Sequence, residues 1–588
     1  MFALPSRMRA AERKRGRMSV LGLCRAGALS LAAFGIAACA GSGALQAPVG
    51  ILDPSSATQA ALRNILLSRK SAPNSASSSQ ANQLLAFYQS RNFQPAWSGD
   101  AQQDAGEVRA VLARAHEQGL RDGDYKLSPD VSSPAPGAEP AEIAQYDLAL
   151  TDAVLRYSRD VRTGRVQPNA IYEDVELPAP GFDAVAALTR ALANHSTAKF
   201  LADLPPAHPE YRRLTKALAQ YRGIADQGGW PSVPGQNEIK LDGKDNRLSL
   251  LIKRLAFEDA VLAATPSPSM AELRDAVKRF QTRNGFDDNG RVAGDTLAAL
   301  NVPASVRAQQ IAANMERWRW MPREFEHRYI AVNVPDESLA FVRDGTVALS
   351  SRVIVGRETS PTPITRSTII AVVANPPWSI PGDIAARDLL PHLRENPNYL
   401  ASQNMVIADA PPDDPHGRKI DWRKVVPAEF PYAIRQLPGP TTALGALMLD
   451  SPNDFDVYLH DTPNKKFFES DQREISNGCV RVQQIFPLAS LALTDDAAQG
   501  MDRLTKVTKT HETQRLVLDK PLPVYFLYWT ALAGPDGQVG FRPDRYGRDA
   551  VLIAALTKGE GSVPMNKSRM NATPDVETSA SEAGDVSP

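Results

Sequence analysis

Cys479 is one of only three cysteines in the chain, and the other two, Cys24 and Cys39, stand near the N-terminus. It sits in Ile475-Ser-Asn-Gly-Cys-Val-Arg481, nineteen residues after His460 in Tyr458-Leu-His-Asp-Thr462. A thiol does acyl-transfer chemistry when three things meet: a route to the thiolate, a base to take the proton, and donors for the oxyanion that develops on the attacked carbonyl. His460 has the right range for the base, because an imidazole titrates near neutrality. A neighbouring imidazolium also lowers a thiol's pKa. Gly478 permits unusual backbone angles and close approach of a substrate beside the nucleophile. On residue types alone a second reading stands beside this one, a buried cysteine acting as a small hydrophobe.

These residues need a scaffold, and hydrophobic periodicity supplies its outline. Tyr329–Val334, Leu339–Val342, Ser351–Val355, Ile369–Val373, Asp456–Leu459 and Leu522–Leu527 read as strands, with a hairpin at Asp344-Gly345. Residues 326–535 are therefore expected to form a β-rich domain that holds both Cys479 and His460. The Pro-rich and helical stretch 378–437 interrupts the strands and is read as a capping insertion. Upstream, residues 240–303 form a compact helical unit: Leu248, Leu251, Ile252 and Leu255 make one stripe, Leu273, Ala276, Val277 and Phe280 a second. Ser269 and Glu272 form a capping box, Gly285 ends that helix, and Thr296–Leu300 start another. Residues 83–235 are read as a helical scaffold. The expected class is α+β and multidomain, with 536–559 as a C-terminal extension.

Composition bounds the rest. With 588 residues the chain is too long for a single core. Lys and Arg number 66, equal to Asp and Glu, so no charge excess points to a nucleic-acid partner. Arg7, Arg9, Arg13, Lys14, Arg15 and Arg17 precede an apolar run from Ala26 to Ala38, the order of an export signal over residues 1–40, with translation starting at Met1 or Met18. Ile36-Ala-Ala-Cys39 also resembles a lipoprotein box, which would anchor the chain to a membrane lipid at Cys39; ordinary cleavage there is the alternative. Residues 41–82, containing Ser68-Arg-Lys-Ser-Ala-Pro-Asn-Ser-Ala-Ser-Ser-Ser79, read as a flexible tether, and 560–588 as a disordered tail. The expected location is the periplasm or cell envelope.

The local sequence carries a resemblance. His460-Asp461-Thr462 followed by Ser476-Asn477-Gly478-Cys479-Val480-Arg481 resembles the catalytic motif of L,D-transpeptidases of the YkuD type, a His, a spacer, then Ser-x-Gly-Cys-hydrophobic-Arg. Many members carry His where Asn477 stands. Asn375-Pro-Pro-Trp-Ser-Ile-Pro381, Gln436-Leu-Pro-Gly-Pro440, Leu522–Tyr528 and Phe541-Arg-Pro-Asp544 look like the large subtype, and Ala276–Gly285 with Gly290, Thr296 and Leu300-Asn301 resembles the small peptidoglycan-binding domain. The resemblance spans roughly residues 83–550. It implies that Cys479 is the nucleophile and His460 the base. The backbone at Gly478 and Cys479 would supply oxyanion donors, and Ser476 would orient the loop or hydrogen-bond the substrate. Arg481 would bind a substrate carboxylate or make a salt bridge inside the loop. Asn477 would contact substrate, Tyr458 and Trp378 would line the cleft and contact substrate or else be core residues, and Asp461 would shape the turn. No metal or other cofactor is implied. The substrates would be peptidoglycan stem peptides, a tetrapeptide donor and an acceptor, cross-linked between third-position diamino acids. Partners would be cell-wall synthases and carboxypeptidases, and carbapenems would acylate the thiol.

Other classes fit less well. Ser196-Thr-Ala-Lys199 matches Ser-x-x-Lys, but no Lys-Thr-Gly or Ser-Asp-Asn accompanies it. No His-Glu-x-x-His spacing suggests a metallopeptidase. A non-catalytic wall-binding protein and an L,D-carboxypeptidase-type hydrolase remain the alternatives to a transpeptidase.

Overall fold

A computed structural model describes residues 54–70, 78–98, 101–178 and 181–558. The expected signal, its two cysteines and the 560–588 tail lie outside the described residues. Among the described residues no helix is long and apolar enough to cross a membrane.

The N-terminal half is helical, with α1 (Pro54–Lys70), α2 (Ser78–Ser90), α3 (Gln102–Leu112) and α4 (Pro140–Thr163). A two-residue strand, β1 (Val175–Glu176), precedes α5 (Ala184–Ala193), α6 (Thr197–Ala202) and α7 (Pro209–Asp226). Here the expectation of a tether over 41–82 fails for part of its length. Leu62 and Leu66 of α1 are buried with Leu84, Leu148 and Leu155 in one apolar cluster. The helical spacing of Leu62 and Leu66 gives α1 a face to bury, and the flanking serines that suggested a tether leave that face intact.

Helices α8 (Leu248–Ala256), α9 (Ala260–Ala263), α10 (Met270–Asn284) and α11 (Gly294–Leu300) enclose a separate core of Leu251, Leu273, Val277, Phe280 and Leu300. The reciprocal Ser269–Glu272 capping box is formed. This unit docks on the C-terminal extension, where the Phe541 amide donates to Asn284 Oδ1 at 2.9 Å and Arg542 donates to the Arg283 carbonyl at 2.8 Å.

Helix α12 (Ala304–Arg319) leads into the β-rich domain. Strands β2 (Arg328–Asn333), β3 (Ser338–Arg343), β4 (Thr346–Gly356) and β5 (Ile364–Ala374) come first, with Asp344 and Gly345 both at positive φ in the β3–β4 hairpin. The chain then leaves through β6 (Trp378–Ile380), α13 (Gly382–Ile384), a π-helical turn at Ala385–Leu389, α14 (Leu390–Glu395), α15 (Tyr399–Ser402), β7 (Met405–Ile407) and β8 (Ile434–Gln436). Strands β6, β8 and β7 pair in that order, and Leu389, Leu390, Leu393 and Trp422 fill a core of this excursion's own. It forms a cap with internal packing. The main domain resumes with β9 (Leu447–Asp450), β10 (Leu459–His460), β11 (Glu474–Ser476), β12 (Val480–Val482), α16 (Ile485–Leu493), α17 (Ala497–Thr508) and β13 (Gln514–Leu527), and β14 (Ala531–Ala533), β15 (Val539–Phe541) and α18 (Arg548–Thr557) follow.

The main sheet runs β1-β5-β13-β2-β3-β4-β12-β10-β9, and β9 pairs back onto β5, so eight of its strands close into a ring. Two segments outside the β-rich domain as read from sequence join its packing. The short β1 of the helical half pairs in parallel with β5, Val175 beside Ile364. Leu552 and Leu556 of α18 belong to the same core as the ring. Helices α7 and α12 share that core too, through Leu214, Ile311 and Met315.

Leu62→Ala should lower stability by about 2–5 kcal/mol, the usual cost of a cavity at a fully buried leucine. Denaturant unfolding reads this out. A variant as stable as the parent would return the segment to the status of a tether.

Candidate active site

Strands β10 and β12 run parallel, Leu459 beside Val480 and His460 beside Arg481. The ladder extends one residue back, since the Val480 amide donates to the Tyr458 carbonyl at 2.9 Å. Side chains alternate across a strand. Leu459 and Val480 are fully buried in the apolar core of the ring, which leaves Tyr458, His460, Cys479 and Arg481 together on the other face. Two residues that are distant in sequence thus become diagonal neighbours on one face.

The loop before β12 is held stiffly. Ser476 Oγ donates to the Cys479 carbonyl at 2.6 Å, and the Gly478 amide donates to Ser476 Oγ at 3.2 Å. Thr362 Oγ1 donates to the Gly478 carbonyl at 2.7 Å and accepts from the Gly356 amide at 2.9 Å. Tyr546, from beyond β15, hydrogen-bonds the Gly356 carbonyl. Gly478 has φ +108°, a conformation that a side chain strongly disfavours. One expectation changes here. The Gly478 amide is engaged by Ser476, so among the described hydrogen bonds only the Cys479 amide of the two is left without an acceptor.

His460 is almost fully buried. Its Nδ1 lies 2.5 Å from the Asp461 carbonyl. A carbonyl only accepts, so Nδ1 carries the proton and Nε2 keeps the lone pair that a general base needs. Asp461 shapes this turn as expected: its carboxylate accepts from the Ala446 amide at 2.9 Å and pairs with Lys465. Gly445 is required opposite, because a Cβ there would come within 2.5 Å of Asp461 Cβ.

Burial, and then the Arg481 guanidinium, push His460 down to about 4, against the pull of the Asp461 and Leu444 carbonyls. Burial raises the Cys479 thiol, opposed by the Tyr458 amide and Arg481. Cys479 itself is partly exposed, and its Sγ donates to the Asp456 carbonyl at 3.6 Å; no thiol–imidazole hydrogen bond is found among the described residues. The resting pair is therefore a neutral thiol beside a neutral imidazole, not an ion pair.

The substrate-binding expectations divide. Tyr458 flanks the thiol and donates to Asp456 at 3.3 Å. The Arg481 guanidinium makes no ion pair among the described residues, and its buried Nε has no hydrogen-bond partner. The structure thus contains no salt bridge inside the loop for Arg481, one of its two expected roles. Asn477 is held by Arg357, Arg387 and Asp388. Trp378 opens β6, is half-buried, and packs against the cap's own apolar cluster, to which its neighbour Ile380 also belongs. Sequence reasoning missed Arg357, Arg387, Asp388, Thr362, Tyr546 and Asp456. Asp456 was read as the start of a strand, but the strand begins only at Leu459 and Asp456 sits in the loop before it at φ +52°; the others reach the site through the topology. Among the described residues no group of three His, Cys, Asp or Glu is arranged to hold a metal ion.

The site is thus a closed mixed barrel with a Ser-x-Gly-Cys loop and a buried histidine on the same face. Residues 327–508 match the L,D-transpeptidase catalytic domain family (YkuD), and residues 82–218 match the scaffold domain family. Residues 327–508 thus carry a YkuD-type L,D-transpeptidase catalytic domain. It is also 37% identical over 247 residues to a protein of Haemophilus influenzae described as "Putative L,D-transpeptidase". The match covers 42% of this chain and about half (49%) of that relative's length.

A neutral resting pair predicts how the thiol reacts with iodoacetamide. Alkylation of Cys479 should be slow at neutral pH and keep climbing as pH rises past the ordinary thiol value of 9.0. A fast, pH-independent plateau through neutrality would instead reveal a resting thiolate–imidazolium pair.

Proposed function

We propose that the protein is an exported cell-wall enzyme that cross-links third-position diamino acids of neighbouring peptidoglycan stem peptides through a thioester at Cys479. The observation that carries this reading is the β10–β12 register, which brings Cys479 and His460 onto one face within the matched catalytic domain.

The chemistry follows from the groups present. As a donor tetrapeptide enters, Nε2 of His460 takes the thiol proton while Sγ adds to the third-position carbonyl. The oxyanion receives the free Cys479 amide. The imidazolium then returns its proton to the departing amine of D-Ala, the C–N bond breaks, and a thioester remains. The side-chain amine of an acceptor stem attacks that thioester, loses its proton to His460, and releases the thiol. Because His460 is neutral at rest, it can accept a proton at every physiological pH. The charge it gains is unfavourable beside Arg481 and lasts only through the chemical step. Arg481, lacking a protein carboxylate, suits a carboxylate of the stem peptide, which its planar fork can grip.

The helical unit at residues 240–303 would dock the enzyme on the glycan mesh, and the basic-then-apolar N-terminal segment ending at Cys39 would deliver it to the periplasm. Synthases and carboxypeptidases that make and trim stem peptides are the expected partners.

Intact-mass analysis with a carbapenem tests the mechanism. The wild type should gain the mass of the drug and Cys479→Ala should not. His460→Ala should slow acylation by about 10²–10⁴-fold, the usual worth of a general base. The rate should hold until the pH nears the His460 value of about 4, then fall as the imidazole is protonated and can no longer accept. An unmodified wild type would refute the proposal.

A further inference from the structure

We infer that Asn477, gripped by Arg387 and Asp388, latches the cap to the nucleophile loop and so acts as a positioning residue for Cys479. The inference rests on the transpeptidase reading for what the loop does, and on geometry for the latch itself.

Asn477 lies two residues before the nucleophile. Its Oδ1 accepts from Arg387 at 2.9 Å and from Arg357 as well, and its Nδ2 reaches Asp388 Oδ2 at 3.4 Å. Arg387 in turn grips Asp388 through Nε at 2.8 Å and a terminal nitrogen at 3.1 Å. Arg387, Asp388 and Asn477 thus close a ring of hydrogen bonds, with cap on one side and catalytic loop on the other. Arg357 belongs to the barrel, and its amide donates to the Ser476 carbonyl at 3.0 Å. One side-chain amide therefore joins three segments.

The cap side is built to present this pair. Arg387 and Asp388 sit in the π turn at Ala385–Leu389. Pro391 follows closely and has no amide to offer the carbonyl four residues earlier, so the helix widens there. Leu389, Leu390 and Leu393 anchor the same helix in the cap's own core. The cap can then move as a body, and Arg387 and Asp388 carry its position to Asn477. On the loop side the path is short and stiff. Ser476 and Gly478 flank Asn477, and their hydrogen bonds to Cys479 and Thr362 fix the backbone that carries the thiol. A shift of the cap therefore displaces Asn477 and, through it, the thiol.

Hydrogen–deuterium exchange on the full chain tests the latch in the wild type, Asn477→Ala, Arg387→Ala, Arg387→Lys and the Asn477→Ala/Arg387→Ala double variant. Each alanine variant should speed exchange in the 382–395 helix by about threefold, the scale of one lost hydrogen bond near the surface. The double variant should be no faster than either single, and Arg387→Lys should recover part of the protection. Carbapenem acylation should slow by a similar factor in the alanine variants while iodoacetamide alkylation of Cys479 stays within about twofold, separating positioning from thiol chemistry. Unchanged exchange in both single variants, or additive effects in the double, would overturn the latch. If the wild type is not acylated, the transpeptidase reading falls, and the exchange data still decide the latch.

Discussion

The catalytic face depends on one pairing, the parallel run of β10 beside β12. If that register slipped by one residue, His460 would turn into the apolar core or Cys479 would. What prevents the slip is the fully buried pair Leu459 and Val480, which contribute to the core on the opposite face. Parallel neighbours need a crossover, and the chain between His460 and Val480 supplies it by way of β11, whose Glu474 and Ser476 pair with β4 at Val355 and Gly356. The loop that carries Cys479 is thus pinned at Ser476 before it turns back. Ring closure through β9 and β5 then fixes β10 from its other side.

A second constraint lies beneath the barrel, in α12. Its polar residues are buried because each has a partner on a different segment. Arg319 pairs with Glu316 and reaches the Gln118 carbonyl and Tyr211, while Glu316 accepts from the Val166 amide. On the other face Asn314 and Arg317 hold Thr530, and Arg317 pairs with Asp549 of α18. Burying an unpaired charge here would cost several kcal/mol, so these contacts demand that the helical half, α12 and the C-terminal extension assemble together. Tyr546, which ties the Gly356 carbonyl to the catalytic loop, is placed by the same extension. What looks in sequence like a tail beyond the catalytic domain is part of its support.

Much of this was legible from residues alone. The strands and the hairpin at Asp344-Gly345 follow from period-two alternation and turn chemistry, and the capping box at Ser269 and Glu272 from local hydrogen bonding. The His460 and Cys479 motif was legible from the local pattern Ser476–Arg481 after His460-Asp461-Thr462, although the chemistry itself needs the two groups close only in space. Three things were not. Helix α1 was hidden by serine-rich flanks, since composition averages over a stripe as narrow as Leu62 and Leu66. Trp378 looked like a cleft residue, but whether an aromatic faces a cleft or a core depends on partners as distant as Leu389 and Trp422. Arg357, Arg387 and Asp388 have no sequence signature at all, because a hydrogen bond between residues 387 and 477 exists only once the cap has folded over the loop.

The electrostatics of the face join these levels. Arg481 acts on the thiol and Arg357 on Arg481, and each guanidinium has a buried Nε without a partner. Burial lowers the Arg481 pKa, and the proximity of Arg357 lowers it further, while the Cys479 site acts in the opposite sense. A positive field of this kind disfavours an imidazolium at His460 and favours an anion beside it, a thiolate or a bound carboxylate. Burial holds both the thiol and the imidazole neutral, so proton transfer from Cys479 to His460 is uphill at rest. In the proposed acyl transfer it would become easier as the sulfur's developing charge passed to a substrate carbonyl. A thiol kept neutral until that moment would also resist oxidation, which starts from the thiolate.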